Sequence, residues 1–520
     1  MLINQHPRSK GVLDFFELFN AKMARPNYIL GLDLGTTSVK ACLIDKESRK
    51  IIAKQSKATQ AGEGAQQDVS KIISALHNCL GRIPKDLLKN VSKIGICGQM
   101  HGILFWKHDT GGYRAQSKGN ERYELGKGPI SSLYTWQDSR CTPEFLNSLP
   151  KPNSHLRIAT GYGCATLLWK IKYEPQELLQ YDRSGSIQDF LVAMLCNLDH
   201  PITSVQNAAS WGYFNTQDKE WNLDILKSIN FPTGLLPTVM DSGEIAGKLD
   251  SNWFGILKGA EILAPLGDMQ CSVLSILSCE TVPTAVLNIS TSAQLSFQMP
   301  ADFIPPSTLS SIEYFPYFSN RYLAVAASLN GGNVMASFVR MLQSWLQDLG
   351  FNAPQHVIWE KILTLARNVE PGETEMTINP TLFGERHLLD SLPVASVHSI
   401  TQKNTGLGNV ARALSSGLVA NLHKYFNNPI SLSEIRKNSS LYLFMLYLMS
   451  LIRNLLKYLG MIFKILLDVI NVSEDNQRHF QSDIEPSINQ FSFCKLTIFI
   501  TPLFALTVNS HYGLYWMMIH

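Results

Sequence analysis

The chain has 520 residues, 17% of them charged, and a formal net charge of +3. That length suits two or three domains with a sizeable core, and the even charge balance, with no basic run, argues against nucleic acid as a partner. The nine cysteines form no CxxC pair and no zinc spacing, so buried thiols in a reducing cytoplasm are expected.

Residues 1–27 read as an N-terminal extension whose apolar patch holds Asp14 and Glu17, which does not fit a secretory signal; Met23 offers an alternative start. A first domain is expected over residues 28–280. It opens as three strands joined by turns, "YILGLDLG", "VKACLI" and "IIAKQSK". "DVSKIISALHNCLGRI" has helical spacing, capped by Asp68 or Ser70. "VSKIGICGQMHG" reads as a buried strand entering a glycine-rich loop, and the polar residues 109–130 as a surface insertion. Strands and helices then alternate, as in α/β folds.

A second unit is expected over residues 281–425. "TAVLNISTSAQLSF" repeats the strand–polar turn–strand pattern of the first. "YLAVAASLNGGNVMASFVRMLQSWLQDLG" reads as strand, Gly-Gly turn and long helix, and "LGNVARALSSGLVANLHKYF" as an amphipathic helix. Residues 426–520 differ in character, being apolar and poor in turn signals. Arg453, Asn454, Lys457 and Lys464 interrupt one apolar run, and Lys495 and Pro502 the other. Neither reaches the ~18 uninterrupted apolar residues of a span, so no membrane association is expected.

The chemistry concentrates at the turns. In "GLDLGTTSVK" the backbone N–H groups around Gly35, Thr36 and Thr37 converge at one strand tip, an arrangement that binds phosphate. Asp33 cannot help an anion directly, but Mg²⁺ joins carboxylate to phosphate oxygens. The plainer alternative is an ordinary hairpin with a surface Asp. "NISTSAQL" carries a second hydroxyl-rich tip, Ser290, Thr291 and Ser292, able to clamp a triphosphate from the other side. In "APLGDMQCSVLSIL", Asp268 suits a helix N-cap. It also suits a base for a substrate hydroxyl, because a carboxylate receiving backbone N–H bonds stays ionised. "GLGNVA" fits the G-x-G-x-x-A form but follows no clear strand, so a dinucleotide site is rejected. No P-loop, HExxH or GxSxG is present.

"GLDLGTTSVK", "GQMHG", "TWQDSR", "LGDMQ", "NISTSAQL", "SLNGGNV" and "GERHL" stand in the order seen in the FGGY carbohydrate kinases, and the resemblance covers about residues 24–425. It implies the two-domain α/β fold shared with actin and hexokinase, an interdomain cleft, and ATP-dependent phosphorylation of a ketose with Mg²⁺. Asp268 would be the catalytic base. Asp33, Gly35, Thr36 and Thr37 would form the first phosphate loop, with Asp33 on the metal. Ser290, Thr291 and Ser292 would form the second loop, and Gly331 and Gly332 would lie at the nucleotide cleft. Gln99, His101, Trp136 and Asp138 would line the sugar pocket. The longer stretches "SHLRIATGYGCATLLW" and "NAASWGYFNTQ" resemble a member making sedoheptulose 7-phosphate, with a pentulose or polyol as the alternative substrate.

One departure matters. The family's glycine-rich adenosine-binding segment and closing "GAA"-type helix have no counterpart after Tyr425. The second domain is therefore expected to be incomplete, with apolar faces uncovered, including that of the helix beginning near Leu407. A catalytically impaired chain that binds sugar or a partner is the competing reading. The oligomeric state is left open.

Overall fold

The computed structural model describes residues 27–62, 64–108, 113–115, 123–277, 284–289, 292–307, 311–369, 376–385, 394–426, 495–500, 504–508 and 514–518. The extension expected over residues 1–27 thus lies almost wholly outside the described residues.

The first sheet starts with β1 (Tyr28–Leu34), β2 (Ser38–Asp45) and β3 (Ile51–Ala58). Alternation in β1 sends Leu30, Leu32 and Leu34 into the core and leaves Asp33 on the opposite face. Helix α1 (Val69–Gly81) covers the buried side; Asp68 is its cap, accepting from the backbone N–H of Ser70 and Lys71. Next come β4 (Val91–Gly98), α2 (Gly163–Tyr173), α3 (Ile187–Cys196), β5 (Ile245–Lys248), β6 (Glu261–Leu263), β7 (Leu266–Gly267) and α4 (Asp268–Leu277). The strand order is β5-β6-β4-β1-β2-β3, with β7 also on β4. β1 runs antiparallel to β2 and parallel to β4, so the tip between β1 and β2 and the loop after β4 emerge at the same end of the sheet. The insertion is more anchored than a surface loop: Tyr113–Ala115 pairs with Tyr123–Leu125, and Tyr123 is buried against Trp253.

The second domain repeats this opening. It contains β8 (Thr284–Ile289), β9 (Ala293–Gln298), β10 (Glu313–Pro316), β11 (Tyr322–Ser328), α5 (Gly332–Asp348), α6 (Gln355–Arg367) and α7 (Leu407–Phe426). The C-terminal segment adds β12 (Lys495–Ile500), β13 (Phe504–Val508) and β14 (Leu514–Met518), giving the order β10-β11-β9-β8-β12-β13-β14. β12 runs parallel to β8, the place that β4 takes beside β1. Beyond it the domains diverge, since β13 is antiparallel to β12 whereas β6 is parallel to β4.

The helix from Leu407 does not have the bare face expected of it. Ala411, Ala413, Leu414, Leu418, Val419 and Leu422 are buried; Ala413, Leu414 and Leu418 pack with Val334 and Met335 of α5, and Ala411 with Val339 of α5 and Ile358 and Ile362 of α6. Contacts with α5 and α6 thus cover part of the apolar face of α7. The exposed stripe lies instead on α5, where Met341, Trp345 and Leu349 recur at helical spacing with 38%, 55% and 73% exposure.

The domains meet through an apolar cluster of Leu156, Val205, Ala208 and Phe214 with Val273, Val286, Phe315 and Val325. His155 Nε2 donates to the Tyr314 carbonyl at 2.7 Å beside it. Helix α4 lies in this junction, with Asp268 at its first position.

Candidate active site

Hairpin register sets the first half of the site. Asp33 faces Lys40 across β1 and β2, and the Lys40 ammonium donates to Asp33 Oδ2 at 2.8 Å. Oδ1 of Asp33 is buried and has no hydrogen-bond partner. A carboxylate oxygen left in that state suits a hard cation that brings its own waters and phosphate oxygens. No group of three or more His, Cys, Asp or Glu residues able to hold a metal occurs among the described residues. The unbonded Oδ1 of Asp33 fits Mg²⁺ held by one or two carboxylates together with water and phosphate oxygens.

Asp268 starts α4 where β7 ends beside β4. Its Oδ1 accepts the Met269 N–H at 2.7 Å. Burial, then the charge of Asp33, push its pKa up to about 7, against the pull of that N–H and of Lys40. The sequence expectation of a permanently ionised carboxylate is thus corrected: the backbone N–H groups of Met269 and Asp268, with Lys40, do not offset desolvation plus a neighbouring anion. A carboxyl poised near neutrality is suited to exchanging a proton with a sugar hydroxyl.

The tip between β1 and β2 and the loop after β4 are joined directly. Thr36 Oγ1 donates to Gln99 Oε1 at 3.4 Å and accepts from Trp136 Nε1 at 3.1 Å. Gln67, which sequence reasoning missed, accepts from Gln99 at 2.9 Å and donates to the Thr36 carbonyl at 2.7 Å. Gln188, also missed, donates to the carbonyls of Gly98, Gln99 and Leu266, pinning the ends of β4 and β7 together. Nothing in a single sequence marks such a glutamine. Lys40 was missed too, though hairpin register could have found it, since the turn between β1 and β2 sets residue 33 opposite residue 40.

His101 has φ of 71°, a costly backbone for a non-glycine residue. Its Nδ1 lies 2.8 Å from the Ser210 carbonyl, which requires Nδ1 to carry the proton and leaves Nε2 as an acceptor. The ring stacks on Tyr162 with centroids 4.5 Å apart and meets the edge of Phe315 from the second domain. Asp138 is buried, and Arg140 donates to its Oδ2 through Nε at 2.6 Å and to its Oδ1 through the backbone N–H at 3.0 Å. Of the four pocket residues expected, Gln99 and Trp136 are linked through Thr36, His101 stands two residues beyond Gln99, and Asp138 serves an ion pair. Thr37 is exposed at the tip.

In the second domain, Ser290 and Thr291 lie outside the described residues. Ser292 is described, and Gly331 presses on it: a Cβ at Gly331 would stand 2.4 Å from the Ser292 carbonyl carbon. Only glycine permits that approach. Gly332 opens the 17-residue helix α5, whose unpaired N–H groups and dipole favour an anion at that end.

The family model for the N-terminal domain of FGGY carbohydrate kinases matches residues 28–275. Human sedoheptulokinase is 47% identical over 418 residues, covering 77% of this chain and 86% of that protein. The chain belongs to the FGGY carbohydrate kinases. It is a sugar kinase, with ATP and a sugar as substrates. Solved FGGY structures share the fold: a xylulose kinase from Rhodospirillum rubrum has a TM-score of 0.61 at 14% identity, covering 77% of this chain and 78% of that one. A Plasmodium falciparum glycerol kinase with ADP has a TM-score of 0.57 at 17% identity, with the same coverage. No helix among the described residues is long and apolar enough to cross a membrane.

Proposed function

We propose that the chain phosphorylates sedoheptulose to sedoheptulose 7-phosphate, with Asp268 as the base. The observation that carries the chemistry is the carboxyl of Asp268, which starts α4 where β7 ends beside β4 and is raised to about 7 by burial and by the charge of Asp33, itself paired with Lys40. Substrate choice rests on the 47% identity to human sedoheptulokinase.

Asp33 would hold Mg²⁺, which when bound neutralises charge on the nucleotide phosphates. Lys40 adds positive charge beside the tip, and the N–H groups around Gly35, Thr36 and Thr37 cradle the phosphate on this side. Ser290, Thr291, Ser292, Gly331 and Gly332 would hold the other side. Asp268 takes the proton of the attacking sugar hydroxyl. Gln99, the Nε2 acceptor of His101 and the Trp136 ring position the ketose, and Asp138 acts through Arg140. Little bond-making falls to the protein in phosphoryl transfer, so positioning and charge account for most of the rate.

A second reading concerns efficiency. β12 occupies the place where β4 delivers "GQMHG", yet the chain continues from β12 through Thr501, Pro502 and Leu503. Residues 426–520 contain two glycines, Gly460 and Gly513. A backbone that must approach an adenine ring closely needs glycine there. Phosphate and metal contacts would then carry most of the ATP affinity, and turnover would be low.

The test is a panel of sedoheptulose, xylulose, ribulose and glycerol in an ADP-release assay. Preference for sedoheptulose supports the reading; preference for xylulose or glycerol overturns the substrate and keeps the kinase.

A further inference from the structure

Glu385, in "GERHL", has no role in the reading above, yet it is 6% exposed and stands at the centre of a hydrogen-bond cluster. Its Oε1 accepts from Ser328 Oγ at 2.6 Å, Asn421 Nδ2 at 2.7 Å and Asn330 Nδ2 at 2.9 Å. Its Oε2 accepts from the Leu329 N–H at 3.3 Å, and Tyr425 also hydrogen-bonds the carboxylate. These donors are neutral. They come from the end of β11, from the turn after it and from α7.

The turn they hold is the one that places Gly331. Asn330 is fully buried; it donates to the Gly384 carbonyl at 2.8 Å and accepts from the Phe383 N–H at 3.0 Å. One residue later Gly331 bears on Ser292 at a spacing that no Cβ would survive, and α5 begins. Asn333 closes the turn from the other side, accepting from Gly331 N–H at 2.9 Å and donating to the Leu329 carbonyl at 2.8 Å. Seating a carboxylate in such a place is unfavourable unless its oxygens are satisfied. A cluster that satisfies it with donors from three segments fixes those segments to one another.

We propose that Glu385 is a positioning residue for nucleotide binding. It locks the Ser328–Gly332 turn so that the α5 N-terminus and Ser292 present their N–H groups together. The inference rests on the kinase reading for what the turn binds, and on the hydrogen bonds alone for what holds the turn.

Glu385→Gln preserves shape but replaces one acceptor oxygen with an NH₂ group. Whichever way the amide is turned, at least one surrounding donor loses its acceptor. The full-length chain and the variant are compared by hydrogen exchange and by calorimetric titration with Mg·ATP and with sedoheptulose. The expected result is exchange at least tenfold faster at residues 329–332 and 292–294, with first-domain peptides unchanged. Mg·ATP binding is expected to weaken about fivefold or more, and sedoheptulose binding less than twofold. Uniformly faster exchange across the second domain would show a purely structural carboxylate and overturn the proposal. So would a loosened turn with unchanged Mg·ATP affinity. If the parent chain binds no Mg·ATP, the nucleotide-positioning role is overturned for this chain whatever its family, while unchanged sedoheptulose binding keeps the sugar half of the kinase reading. Should Glu385→Gln not fold, Ser328→Ala, which removes the 2.6 Å donor, carries the same comparison.

Discussion

At the residue scale the decisive group is Asp268. Asn at this position keeps the shape and loses the basicity, so Asp268→Asn should lower turnover by about a hundredfold or more, with sedoheptulose affinity little changed. For the parent chain, kcat/KM for the sugar should rise with pH towards neutrality, because the free enzyme's base must be ionised and burial with the charge of Asp33 raises its pKa to about 7. Stability should run the other way. The folded pKa of about 7 lies above the ordinary 3.8. Between those values the folded chain keeps a proton that the unfolded chain has lost, so stability falls as pH rises from about 4 to about 7. Asp268→Asn removes that dependence. Discounted for the partial exposure of Asp268 and its attraction to Lys40, it should stabilise the chain by ~1–2 kcal/mol at pH 8 and by nothing near pH 4, read from urea unfolding at both pH values. His101→Ala should weaken sedoheptulose binding about tenfold and Mg·ATP binding much less. Equal losses for both ligands would mean that the strained loop had collapsed.

At the scale of elements, the proposed site would be built from three chain reversals: the tip between β1 and β2, the loop after β4, and the turn from β11 into α5. All three were legible, because each combines an apolar strand with glycine or hydroxyl residues, and β1 marks its exceptional residue, Asp33, by setting a charge on an apolar strand. What holds the reversals in place was not legible. Gln67, Gln188, Ser210 and Glu385 act across separations of 31 to 109 residues, and polar residues of these types look the same on a solvated surface. The cover of α7 was missed for a related reason: its apolar face finds partners on α5 and α6, which periodicity cannot pair. Gly331→Ala tests the turn into α5. A methyl group 2.4 Å from the Ser292 carbonyl carbon must push backbone against backbone, so the variant should lose roughly 1–3 kcal/mol of stability and bind Mg·ATP at least tenfold more weakly, with sedoheptulose binding preserved. Unchanged Mg·ATP affinity would remove Gly331 from the nucleotide cleft.

At the scale of the whole molecule, among the described residues the second sheet repeats the opening of the first and then departs from it. β12 fills the strand position next to β8, but the sequence around it lacks the glycines that let a backbone reach a flat ligand. The exposed stripe of Met341, Trp345 and Leu349 on α5 adds an apolar surface that favours association in solution. The account therefore predicts an enzyme whose sugar half is intact and whose nucleotide half is weak. The most direct measurement is sedoheptulose phosphorylation at saturating Mg·ATP by three proteins side by side: the 520-residue chain, a chimera carrying an FGGY C-terminal segment after Tyr425, and that chimera with Asp268→Asn. The account predicts slow turnover with a high KM for ATP in the first, turnover at least tenfold faster in the second, and its loss in the third. A chain that already matches the chimera would contradict the weak nucleotide half, and a chimera that turns over equally well without Asp268 would contradict the chemistry itself.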